Sequence, residues 1–185
     1  MNGLFMRLAA FLVCALIVCI PAQADSPNDV ARYLAGMQLS RGSPVEAAAN
    51  DPYWLAHAHE MDRAWSALES NQINRIRVWA SANLPPPRSS MFYMFSGPDF
   101  LHAEAFFPNA STYVLAGLEP LGGLPSTASI PPAQLEAMRA SLSNFVTYGY
   151  FITKEMGQQF DEGTLPVLYI FLARAGKYIQ DVTYV

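Results

Sequence analysis

Between two aromatic runs, the stretch FSGPDFLHAEAFFP, residues 95–108, sets Asp99, His102 and Glu104 within six positions, with Ser96 just upstream of Asp99. A carboxylate can hold an imidazole in one tautomer, so that the imidazole withdraws a proton from a nearby hydroxyl or metal-bound water. Ser96, Asp99 and His102 are therefore the candidate catalytic residues, and the chemistry they would support is hydrolysis. The same residues also suit the opening of a short helix, with Ser96 as its cap and Asp99 stabilised in its first turn by the helix dipole. On a helix over residues 98–107, Asp99 and His102 lie about 60° apart and Glu104 about 140° from Asp99. Three side chains so spread do not converge on a point. The expected reading is accordingly a capped, solvated helix, with a hydrolase centred on Asp99 and His102 as the alternative.

Other arrangements carry less. In HAHE, residues 57–60, His57 and His59 point about 160° apart on a helix, so one metal ion does not take both. His57 borders an apolar stripe and reads as a packing histidine, while His59 faces solvent. A zinc site drawing on His57, His102 and a distant carboxylate such as Glu119 satisfies the minimum of three protein ligands, but three histidines in the whole chain leave little to build it from. The turn at Ser96 lacks the first glycine of a nucleophile elbow, and Pro98 removes an amide that could help hold an oxyanion. No glycine-rich phosphate-binding motif occurs. Asn109-Ala110-Ser111 fits a glycosylation sequon, a weak three-residue pattern. The aromatic cluster from Phe92 to Tyr113 reads as core. No cofactor and no metal is expected.

The elements around the stretch follow from periodicity and punctuation. Asn50-Asp51-Pro52 opens a helix, an Asx cap followed by proline in the first turn. Trp54, Ala58, Met61, Trp65 and Leu68 then recur on one face. A second helix is expected over residues 71–84, with Ile73, Ile76 and Ala80 inward and Pro85-Pro86-Pro87 ending it; together the two predict an N-terminal helical hairpin. MFYMF, residues 91–95, has the length of a strand and no polar face, as expected for one covered on both sides. STYVLAGL, residues 111–118, favours a second strand. A strand, a short helix and a strand in so few residues form a βαβ unit with parallel pairing.

Beyond it, a turn-rich loop leads to an amphipathic helix over residues 132–154 with Leu135, Met138, Leu142, Phe145 and Gly149 on one face. Residues 164–175 read as a buried helix, capped by Thr164, with Pro166 in its first turn, Arg174 near its end and Gly176 just past it, although the core VLYIF equally suits a buried strand. The closing KYIQDVTYV reads as a strand, either the last one inserted into the sheet or the edge of a longer protein. Residues 25–49 read as a flexible lead-in. The predicted fold class is α/β, with residues 50–185 forming a single domain around a small, mostly parallel sheet flanked by helices.

Composition bounds location and partners. Residues 1–24 combine Arg7, an apolar run from Leu8 to Ile20 and the exit Ala22-Gln23-Ala24, the layout of a secretory signal peptide. The apolar run is shorter than the roughly 20 residues a stable membrane span needs. Cleavage after Ala24 removes Cys14, Cys19 and the one cation of that segment. Of 185 residues with 11 basic and 15 acidic side chains, 161 remain with a charge near −5. Without thiols the mature chain is stabilised by packing alone, and thiolate chemistry is excluded. Mild acidity without a cationic stripe argues against nucleic acid. Charged residues are only 14% of the chain, against about 25% in typical domains, which points to contact with a protein partner or an apolar ligand in the cell envelope.

The stretch FYMFSGPDFLHAEAFFPNASTYVLAGLEPLGGLP, residues 92–125, resembles a block found in uncharacterised exported bacterial proteins. That resemblance implies a periplasmic or secreted envelope protein, with no functional residues to carry over. The sequence therefore leads to a non-catalytic binding or interaction module as the expected role, with the periplasmic hydrolase as its rival.

Overall fold

A computed structural model of the chain describes residues 26–86, 88–95, 99–118, 122–124, 135–136, 139–140 and 164–183. The signal segment, Ser96, Glu119 and most of the expected 132–154 helix lie outside the described residues.

The fold is mixed α/β, and it begins earlier than the composition suggests. Within the segment read as a lead-in, Pro27–Leu34 form α1, with Pro27 in the first turn, Asp29 near the positive end of its dipole and Arg32 near the negative end. Val30, Ala31, Tyr33, Leu34 and the following Ala35 are core residues. The helix closes at Gly36, whose φ of 63° suits a residue without Cβ. There the Gly36 N–H donates to Tyr33 O at 3.1 Å and the Met37 N–H to Arg32 O at 2.8 Å, the paired bonds of a Schellman closure. Gly36 also lies against the next helix, where a Cβ would meet Ala58 Cα at 2.6 Å.

That next helix is α2, Pro52–Leu68, opened as the sequence indicates: the Asp51 side chain accepts from the Tyr53 N–H at 2.8 Å, and Pro52 follows the cap. Trp54, His57, Met61 and Leu68 are its buried residues. The expected hairpin does not form. Glu69–Ile73 continue α2 as a π-helical turn that runs straight into α3, Asn74–Asn83. The physical reason lies in the step of five between Leu68 and Ile73. In an α-helix that step rotates a side chain off the stripe; one π turn absorbs the extra residue, and both Leu68 and Ile73 are 0% exposed. With no glycine or proline between them, nothing forces a reversal.

Ser90–Phe95 form β1 and Thr112–Gly117 form β2, paired in parallel from Ser90↔Thr112 to Phe95↔Gly117. Phe100–Phe106 make the crossover helix α4, burying Phe100, Leu101, Ala103, Glu104 and Ala105. The expectation that β1 is covered on both faces is not met. Its burial alternates, with Tyr93 and Phe95 turned inward beside Tyr113 and Leu115, while Phe92 is 80% and Met94 66% exposed. Val114 of β2 shares the outer face.

Leu165–Arg174 form α5, which ends at Gly176 (φ 68°) with the same paired closure as α1; the expected cap is not made, since Thr164 is itself in a helical conformation and its side chain gives no bond to the helix. It is almost entirely buried and packs along α1. The segment after it is not a strand over its described residues. At Ile179 both backbone groups are met by one side chain: the Asn28 amide donates to Ile179 O at 2.9 Å and accepts from the Ile179 N–H at 2.8 Å, as a neighbouring strand would. Among the described residues no helix is long and apolar enough to cross a membrane.

Candidate functional site

At the carboxyl end of β1 the inward-facing Tyr93 reaches past the strand, and its hydroxyl donates to Asp99 Oδ2 at 3.1 Å. Burial raises the Tyr93 phenol above its ordinary range, and the hydrogen bond and charge of Asp99 push the same way. Asp99 is the residue before α4, and its carbonyl accepts from the His102 N–H at 3.0 Å and the Ala103 N–H at 3.2 Å. Its side chain gives no cap bond to the helix. His102 is half-buried, and burial lowers its pKa although the Asp99 charge opposes the shift. The carboxylate charge of Asp99 is thus felt at the imidazole. The described residues supply no group of three or more His, Asp or Glu able to hold a metal ion.

Glu104 departs from that reading. It is not solvated but 2% exposed. Its Oε2 accepts from Arg77 Nη2 of α3 at 2.9 Å, and its Oε1 lies 3.0 Å from Lys177 Nζ beyond α5. Lys177 also donates to Pro108 O at 3.0 Å and lies 4.7 Å from the centroid of the Tyr113 ring. Arg77 continues the chain to Glu69 in the π turn. Burial would lower the Arg77 guanidinium, but its bonds to Glu104 and the charges of Glu104 and Glu69 outweigh this and hold it above its usual value. A buried carboxylate held by two cations is a structural brace, tying α3, α4 and the end of α5 together.

His57 is a second buried polar group with a structural part. It is 0% exposed, and its Nε2 lies 2.8 Å from Leu34 O, so the neutral ring donates there. Burial lowers its pKa to about 4, with the charges of Arg139 and Arg174 adding to the effect against the hydrogen bond to Leu34. Trp54 Nε1 donates to Tyr33 O at 3.0 Å and Arg174 donates to Ala35 O at 2.9 Å. The carbonyls at the end of α1 thus each receive a donor from α2 or α5, Tyr33 O in addition to its bond from the Gly36 N–H. His59 is exposed beside Glu60, as its position on the helix requires.

A further feature lies on the other side of α3. Asn71, Gln72, Arg75, Ile76, Trp79 and the α4 residue Phe106 line an open groove of about 560 Å³. Trp79 is 53% exposed, and its ring meets Phe106 edge-on with centroids 6.0 Å apart. Sequence reasoning passed over this site. Its signal was an aromatic residue off the apolar stripe: Trp79 lies about 60° to one side of Ile76, away from Ala80. Comparison with protein-family models, with curated proteins and with solved structures finds no match.

Proposed function

We propose that this chain is an exported envelope protein with a binding role, and that an apolar ligand sits in the groove between α3 and α4. The observation that carries the reading is Trp79, a large aromatic side chain left half in solvent against Phe106 and Ile76. The groove volume of about 560 Å³ falls within the range of small-molecule sites, roughly 300–1,000 Å³. Tryptophan in such a place contributes flat contact area at low loss of side-chain freedom. The low charge of the sequence supports the same role, and Glu104, Arg77 and Lys177 are already committed to one another.

Titrating the uncharged dye phenylnaphthylamine into the purified mature chain tests the reading. The expected result is saturable binding at one dye per chain, weakened at least about tenfold by Trp79→Ala, as the loss of a buried aromatic contact implies. An absence of binding, or equal binding by the variant with its fold intact by circular dichroism, would abandon the role. Export is tested apart from ligand binding, by the mass of the chain recovered from the periplasm, which should begin at Asp25.

A further inference from the structure

Resting on that reading of the groove, we infer that its ligand is a small amphipathic anion, an apolar body carrying a carboxylate or sulfonate whose charge is met by Arg75. Arg75 is exposed and makes no ion pair or side-chain hydrogen bond among the described residues. It stands one turn before Trp79 on the same helical face, where positions four apart hold their Cβ atoms about 5–6 Å from each other. A body resting on Trp79, Ile76 and Phe106 therefore puts its head group within reach of the guanidinium. That fork matches the two oxygens of a carboxylate.

The rim beside Arg75 is made of amide side chains and not of carboxylates. Asn71 is exposed, and Gln72 carries a buried Oε1 with no hydrogen-bond partner among the described residues. Both amides carry N–H₂ donors and no charge, so neither repels an anionic head. The nearest preceding acid on the helix, Glu69, is engaged by Arg77 and leaves Arg75 unneutralised. Since the whole chain carries a net charge of −4, any preference for an anion must arise locally.

A matched pair of probes separates this inference from the simpler one beneath it. Anilinonaphthalene sulfonate and phenylnaphthylamine share an aromatic skeleton and differ by the anionic group. At low salt the sulfonate is expected to bind about fivefold more tightly, the size of an exposed charge contact. Arg75→Gln should bring the ratio of the two affinities, measured on the same variant, close to one, and added salt should shrink that ratio in the parent protein. If Arg75→Gln leaves the ratio of the two affinities unchanged, or if the uncharged dye binds the parent protein as tightly, the anionic ligand is ruled out while the apolar groove stands. If neither dye binds, both readings fail together.

Discussion

Glu104 shows how much one buried carboxylate can organise. Its two cations come from α3 and from beyond α5, and their side chains are only 29% and 20% exposed. Glu104→Ala leaves both charges facing each other in a partly dry site, which should lower stability by about 3 kcal/mol, measured by urea denaturation. Glu104→Gln restores hydrogen bonds without the charge and should fall between that variant and the parent. His57 makes the opposite demand, since it must stay neutral. As pH falls below about 6.5 the unfolded chain takes up a proton there that the folded chain refuses until about 4. Stability is therefore full above that window and drains away as pH falls through it, by a total of about 3 kcal/mol. His102, also depressed, acts in the same direction. His57→Gln, which keeps an N–H donor, should flatten the acid limb of stability against pH; an unaltered slope would mean that the imidazole does not titrate as a buried base.

At the scale of elements, the local signals were legible and the long-range ones were not. The Asx-proline start of α2, both strands, α4 and the glycine stop of α5 could be read because each depends on residues within a few positions, whereas Thr164 makes no side-chain cap bond to α5. The join between α2 and α3 was misread because a five-residue apolar step looks like a break until a π turn is considered. That turn makes a sharp prediction. Deleting Asn71 shortens the step to four and turns the bulge into ordinary α-helix, so Leu68 and Ile73 both stay inside. The change should shift stability by no more than about 1 kcal/mol, whereas deleting Ala64 rotates everything after it by about 100° and should unfold the protein; thermal melts of the two deletions give the comparison. The closing segment was misread for a different reason. Its composition favours a strand, but Asn28, far away in sequence, takes both backbone groups of Ile179 that a neighbouring strand would have paired.

Across the whole molecule, what the sequence concealed was partnership. Asp99 bonds to Tyr93 while Glu104 is held by Arg77 and Lys177, and that destination of Glu104 could not be seen without knowing that the two cations arrive beside it. The groove was hidden likewise, because Trp79 acquires its neighbour Phe106 only once α4 folds back on α3. Low charge did anticipate exposed apolar side chains, among them Trp79 at the groove and Phe92 and Met94 on the outer face of the sheet. The close contact at Gly36 has a further effect on how the fold comes apart. Where two backbones touch without a side chain between them, the carbonyls of Tyr33, Leu34 and Ala35 come within reach of Trp54, His57 and Arg174. A helix near the start of a chain ordinarily frays on its own; this one is fastened at its far end to two others, so its eight residues let go only when α2 and α5 do.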